Sequence, residues 1–375
     1  MFTLWQERQQ DNGIEASSSF LSHEVSSLSS SSKKDCSTSS RIAKGSSSNV
    51  ADLKSFYSPS KTTGAFNSGN RKVAYQQTVG DLIEIVGVGL HSGLEATLRV
   101  LPADANTGLQ FKRVDQADAI SLIGGRFDKV TDTQLCTKVS NDSNVSVGTV
   151  EHLLSALRAY EIDNAIIEID GPEVPVLDGS SILICQSLDK VGVKVQTAPR
   201  QIIRILKPIS VGDASCGATL YPNEGADKGF ALDFTVKFDC AAIGEQNFKY
   251  AFDLNSYKTE LAQARTFGFF EEVEYLRSKG LAKGGSLENA IVLKDGAVMN
   301  PEGLRYKDEF VRHKILDALG DLYLAGLQIE GVYVGVCAGH RINNELLRAL
   351  FADPSAWTLT CQYQDTDVEV LEQAG

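Results

Sequence analysis

Apolar and polar positions change period along this chain, and the changes outline its elements. From residue 1 to about 73 no period is sustained. Serine runs such as Ser26–Ser32 and Ser46–Ser48 are mixed there with lysine, glycine and threonine. Such a stretch buries too little apolar surface to offset its ordering entropy, so residues 1–73 are expected to be disordered. Beyond Val73, Asp81–Val86 and Glu95–Val100 alternate every second residue. Split by Gly87, Gly89 and Gly93, they predict an antiparallel strand pair. Leu109–Val114 and Leu135–Val139 predict further strands. The period then becomes helical over Thr149–Tyr160, where Val150, Leu153, Leu154 and Leu157 recur. A strand over Asn164–Ile169, a Gly/Pro-rich turn and a helix over Ser181–Val191 follow.

The same order then returns. Gln201–Ile209, Ala218–Tyr221 and Phe230–Phe238 predict strands, Lys307–Gly326 a long helix, Gly331–Cys337 a strand and Asn343–Phe351 a closing helix. This repeated order predicts an α+β fold of two similar domains, each a β-sheet packed with helices. The expected spans are 74–197 and 198–365. Residues 269–300 read as an insertion in the second domain, with a helix and a strand of its own.

A length of 375 residues suits two domains, and 42% hydrophobic residues supply an ordinary core. The longest apolar runs are too short to predict a membrane span. A formal net charge of −12 argues against a general nucleic-acid or anionic-membrane binder, and an anionic small substrate would need a local basic patch. The seven cysteines, Cys36, Cys136, Cys185, Cys216, Cys240, Cys337 and Cys361, show no CxxC spacing, as expected of reduced thiols. The serine-rich, basic start suits a targeting extension for a mitochondrion or another organelle. Glu7, Asp11, Glu15 and Glu24 run against that, and the other reading is an untargeted tail on a cytoplasmic body.

Of five histidines, His23 lies in the tail and His91 in a glycine-rich turn, while His152, His313 and His340 sit in or beside predicted helices. On Lys307–Gly326, Val311, Ile315, Ala318 and Leu322 form one apolar face. His313, Asp317 and Asp321 fall nearly opposite. An imidazole and a carboxylate one turn apart can share a metal ion. On spacing alone, a solvated pair contributing a few tenths of a kcal/mol is the commoner explanation. The first helix likewise leaves His152 off its apolar face with Glu151 beside it, as an inconsequential exposed residue would also be. Two histidines and one aspartate meeting between the domains would leave positions for water and substrate, and zinc held there lowers the pKa of water to about 7. Glu151 is placed to serve as base, and His340, in a turn after a strand beside Gly339, as acid.

The segment Gly148–Leu157, GTVEHLLSAL, resembles the TVEHL signature of the UDP-3-O-acyl-N-acetylglucosamine deacetylases, zinc enzymes of lipid A synthesis. Five further stretches resemble that family in its own order: Gly87–Gly93 (GVGLHSG), Pro172–Ser180 (PEVPVLDGS), Ala264–Phe269 (ARTFGF), Phe310–Asp321 (FVRHKILDALGD) and Gly339–Asn344 (GHRINN). The likeness runs from about Gln76 to Leu350. It implies one Zn2+ per chain, held between two α+β domains by His152, His313 and Asp317. It implies Glu151 as the base, His340 as the general acid and Asp321 as the residue that orients it. Lys314 is implied close to the reacting centre, Thr266 at the oxyanion and Phe267 near the nucleotide-sugar.

The implied reaction removes the N-acetyl group of a small acylated UDP-sugar, releasing acetate, in a monomer without nucleic-acid partners. The insertion is implied to shape a passage for the acyl chain through Phe269, Phe270, Val273, Leu276, Leu281, Ile291 and Val292; a small core of its own explains the same residues. Two departures mark the chain. The serine-rich tail is foreign to the compact bacterial pattern and suggests a eukaryotic, organelle-directed version. Cys337 stands where bacterial members often place lysine near the substrate phosphates, which bears on nucleotide affinity. Cys136 sits in a predicted strand just ahead of the first metal helix, from which it could approach the zinc; a buried structural thiol is the commoner reading. Two other functions fit parts of the pattern. Two histidines and a carboxylate also suit a non-haem iron(II) oxygenase. A non-catalytic lipid- or sugar-binding relative would be expected to lose a ligand or the base.

Overall fold

A computed structural model describes residues 71–224 and 229–365. The disorder expected of the N-terminal segment therefore falls outside the described residues, except at its end. There Arg71–Val73 form a strand paired antiparallel with Tyr363–Asp365.

The first half builds a five-stranded sheet from β1 (Ile83–Val88), β2 (Glu95–Pro102), β3 (Leu109–Arg113), β4 (Leu122–Gly124) and β5 (Ala165–Ile169), in the order β1-β2-β5-β3-β4. Its neighbours are antiparallel except β5 and β3, which run parallel. A parallel pair needs a long crossover, and the chain between β3 and β5 supplies it, carrying helix α1 (Glu151–Ala159). Along β5, Ala165, Ile167 and Ile169 are buried while Ile166 and Glu168 are partly exposed, the alternation of a sheet with one covered face. Helix α2 (Ile182–Val191) buries Ile184, Cys185 and Leu188 on one side and ends at Gly192, whose φ of +67° suits a residue without Cβ.

The second half contributes β6 (Gln201–Ile205), β7 (Ile209–Gly212), β8 (Gly217–Tyr221), β9 (Phe230–Lys237) and β10 (Glu245–Ala251). The insertion follows as β11 (Phe267–Phe269), α3 (Phe270–Ser278), β12 (Ile291–Lys294) and β13 (Ala297–Val298). Then come α4 (Glu309–Tyr323), β14 (Gln328–Val336), α5 (His340–Ala352) and β15 (Trp357–Cys361). The main sheet here runs β7-β8-β14-β6-β15, with β9 also on β14 and β10 on β9. Strand β14 is its spine, pairing with β6, β8 and β9. The insertion's strands make a separate three-stranded sheet. The molecule is thus α+β. The single strand expected over Gln201–Ile209 is two, because Pro208 has no N–H to donate to a ladder.

Helix α4 settles where the polar face of the long helix goes. All its residues except Arg312 are buried, His313, Asp317 and Asp321 included. Its apolar side lies on β9 and β10, and α1 packs against it. Gly320 makes that approach possible: a Cβ there would lie 2.0 Å from the carbonyl oxygen of Glu151. A solvated His–Asp pair is therefore excluded, since the face that avoids the sheet is covered by the other helix.

Candidate metal centre

The contact between α1 and α4 brings His152, His313 and Asp317 together, with one ligand atom of each within 4.8 Å of the others. Asp317 Oδ1 lies 3.5 Å from His152 Nε2 and 3.3 Å from His313 Nε2. Such separations are close to those of ligands held about 2.0–2.2 Å from one ion. Asp317 Oδ1 is buried and accepts no hydrogen bond, a costly state for a carboxylate oxygen unless a cation meets it. The other oxygen, Oδ2, accepts from Lys314 Nζ at 2.7 Å. His313 Nδ1 lies 3.0 Å from the carbonyl oxygen of Ala264. Donation of its proton there leaves the Nε2 lone pair facing the cluster.

The protonation states suit a metal. Burial pushes the His313 imidazole down to about 3, so it is neutral, as a ligand must be. Burial also opposes charge on Asp317, but His313 and Lys314 outweigh it and hold the carboxyl well below its ordinary range. His152 goes the other way: burial is opposed by the Asp317 carboxylate, which raises the imidazole above its usual value. A cation taking its place among these three groups would displace the proton that a raised His152 imidazole carries.

Glu151 and His340 face each other beside this cluster, with 3.8 Å between Oε1 and Nε2. Burial raises the Glu151 carboxyl above the usual range. Its Oε2 accepts the backbone N–H of Thr137 at 3.0 Å. His340 Nδ1 is 2.9 Å from Asp321 Oδ2, which also accepts from Asn343 Nδ2 at 2.9 Å. Burial opposes charge on this imidazole, yet Asp321 and Glu151 prevail and raise it, favouring the imidazolium. His340 is the first residue of α5 after the cap residue Gly339, rather than part of a free turn.

Sequence reasoning missed three supporting residues. Thr137 reaches both carboxylates: its N–H binds Glu151 and its hydroxyl donates to Asp321 Oδ1. Glu173 accepts from the N–H groups of His91 and Ser92 and from the Thr149 hydroxyl, tying three of the sequence motifs into one corner. Thr149, just ahead of α1, is held there at φ +56°. Arg265 is buried and donates to Glu309 Oε1 at 2.9 Å, strapping the segment before β11 to the start of α4. Burial of Thr137 and Glu173 carries no periodic signature, and their partners are remote in sequence.

Phe267 packs edge-on against Phe310 at 5.0 Å and against His313 at 6.3 Å. Thr266 and Phe267 also line a mainly apolar cavity of about 230 Å3, walled further by Leu90, Phe270, Val273, Val292 and Met299. Of the other apolar residues in the insertion, Leu276 and Ile291 are buried, and neither lines that cavity. The insertion therefore has both a passage-like wall and a core of its own. Cys337 is buried near Lys237, its Sγ 3.9 Å from that residue's carbonyl oxygen.

A divalent-ion ligand set in which a buried carboxylate and a carboxylate-paired imidazole face each other at the rim is the equipment of a metal-dependent hydrolase. Comparison with known proteins narrows this class. The family model for UDP-3-O-acyl N-acetylglycosamine deacetylase (LpxC) matches residues 76–352. A protein of Shewanella frigidimarina named UDP-3-O-acyl-N-acetylglucosamine deacetylase is 45% identical over 298 residues, covering 79% of this chain and 96% of the relative. One of the same name from Shewanella violacea is 45% identical over 287 residues, covering 76% and 92% respectively. The chain belongs to the UDP-3-O-acyl-N-acetylglucosamine deacetylase family.

Proposed function

We propose that this protein hydrolyses the N-acetyl group of UDP-3-O-acyl-N-acetylglucosamine, giving the free amine and acetate, the deacetylation step of lipid A synthesis. The observation that carries the reading is Asp317 Oδ1, buried, unbonded and facing two imidazole nitrogens. We take the ion to be one Zn2+ per chain, held by His152, His313 and Asp317. When bound, zinc supplies a Lewis acid that acidifies water and polarises the acetyl carbonyl.

The remaining work falls to the chain's own side chains. Glu151 Oε1 takes a proton from the attacking water, for which a carboxyl raised by burial is a competent base. The Thr266 hydroxyl and the Lys314 ammonium stabilise charge growing on the carbonyl oxygen. As the C–N bond breaks, His340 Nε2 gives its proton to the leaving nitrogen. Asp321, bonded to Nδ1, keeps that imidazole charged and aimed. Phe267 and the 230 Å3 cavity beside it suit the apolar acyl chain of the substrate. A base and an acid flanking the ligands fit hydrolysis better than the oxygen chemistry of a non-haem iron site.

The same proposal makes 74–197 and 198–365 the two domains of a monomer and assigns residues 1–73 to organelle targeting. Residues 1–73 fused to a fluorescent reporter should direct it to an organelle; diffuse cytoplasmic signal would remove that part. For the centre, His313→Ala should lose both bound zinc and acetate release. Glu151→Ala should keep stoichiometric zinc and lose turnover. Acetate release at the wild-type rate by either variant would refute the assigned roles.

A further inference from the structure

Thr149 stands where the chain enters α1, just ahead of Glu151 and His152. Its φ of +56° places it in the left-handed region, which crowds a residue branched at Cβ. No other β-branched residue among those described has a positive φ. A conformation this unfavourable persists only where neighbouring structure holds it, and such holding concentrates at functional sites.

The side chain that holds it is a carboxylate. The Thr149 hydroxyl donates to Glu173 Oε1 at 2.8 Å. Alongside, Gly148 N–H donates to the Pro172 carbonyl at 2.9 Å and Val174 N–H to the Gly148 carbonyl at 3.0 Å, which fixes the two segments side by side. Glu173 is buried and is gripped by a second loop. His91 N–H reaches Oε1 at 2.9 Å and Oε2 at 3.1 Å, and Ser92 N–H reaches Oε2 at 2.7 Å. Gly89 keeps that space clear: a Cβ there would lie 2.5 Å from Oε2. Thr149 is thus bonded to a fixed point. The same turn brings Val150 N–H to the Thr137 carbonyl at 3.3 Å, and Thr137 N–H in turn holds Glu151 Oε2.

From this chain of contacts we propose that Glu173 is a positioning residue for the metal centre. Through Thr149 it keeps the entry of α1 in its left-handed turn, and so sets Glu151 against Thr137 and His152 against Asp317. Released from Glu173, Thr149 returns to negative φ and the first turn of α1 moves with it. The inference rests on the roles given above to Glu151 and His152.

The test uses the zinc-loaded full chain, with acetate release and zinc loss to a chelator measured side by side. Thr149→Val keeps the branched shape and removes the hydroxyl. Glu173→Gln keeps the shape but turns an amide N–H2 on His91 N–H whichever way it lies, because that N–H touches both oxygens. Each should lower kcat at least about tenfold, leave KM within about threefold and speed zinc loss at least about tenfold. Glycine adopts positive φ without strain, so Thr149→Gly makes the hold unnecessary. Adding Thr149→Gly to Glu173→Gln should restore both readouts to within about threefold of wild type, which a general loss of stability would not do. If Glu173→Gln fails to fold, Thr149→Val decides, with Thr149→Ser expected to match wild type. Wild-type kcat and zinc retention in the folded single variants would overturn the proposal, as would a double variant no better than Glu173→Gln alone. A wild type that released no acetate would sink the deacetylase reading, and zinc retention would still decide this one.

Discussion

Thr137 holds two functional carboxylates at once. Its backbone N–H fixes Glu151 Oε2 at 3.0 Å, and its hydroxyl serves Asp321, which in turn bonds His340. Replacing it by valine keeps the shape and the backbone bond but deprives Asp321 of a buried donor. Partners one shell out from a reacting group are commonly worth roughly 10–100-fold in activity. Thr137→Val should therefore lower kcat by about tenfold or more with zinc content unchanged, read by metal analysis beside acetate release. A wild-type kcat would show that Asp321 needs no such support. The neighbouring Cys136 makes a contrasting case. Burial, helped by the Glu151 charge, pushes its thiol up to about 12, so almost no thiolate exists at neutral pH. Native protein treated with iodoacetamide at pH 8 should leave Cys136 unmodified by peptide mass mapping. Labelling at the rate of the partly exposed Cys361 would contradict this.

Among the elements, α1 and α4 were the most legible. Both carry apolar residues at helical spacing, and His313 and Asp317 one turn apart on α4 announce a shared direction. That their polar faces meet was legible through the motif resemblance and not through spacing, because the approach itself depends on Gly320, which in isolation is only a weak residue within a helix. A methyl group at position 320 would have to enter the space of the Glu151 carbonyl, 2.0 Å away, and backbone cannot swing aside as a side chain does. Gly320→Ala should force the helices apart, destabilise the fold by at least about 1–3 kcal/mol and loosen the ligand set. A lowered melting temperature together with weaker zinc retention is the expected pair of results. A variant with wild-type values for both would mean that the helices separate without disturbing the centre. Strands β10 and β15 escaped sequence reading for a different reason. Most positions of β10 and all of β15 are at least partly exposed, so neither shows the clear apolar alternation that marked β5.

Across the whole molecule, the buried cation Arg200 ties the segment just after α1 to the region of the last described strand. Arg200 is fully buried. It bonds Glu161 Oε2 at 2.7 Å and Asp163 Oδ2 at 2.9 Å, just after α1, and reaches Gln362 Oε1 at 3.2 Å near the last strand. Burial raises the Asp163 carboxyl even with the guanidinium present; Arg200 partly offsets that rise. Removing Arg200 leaves Asp163 buried and charged without its counter-ion, a loss of about 3–5 kcal/mol for a broken buried pair. The sign with pH follows from linkage. A carboxyl whose folded-state pKa lies above its unfolded value is a burden while ionised, and the burden lifts as pH falls through the folded value. Without Arg200 that value rises further, so the deficit of Arg200→Met relative to wild type should be greatest at neutral pH and shrink on acidification. Adding Asp163→Asn should recover part of the loss at pH 7 and change little at low pH, measured by chemical denaturation at each pH. A deficit independent of pH, or no recovery in the double variant, would assign the role of Arg200 to packing instead of charge.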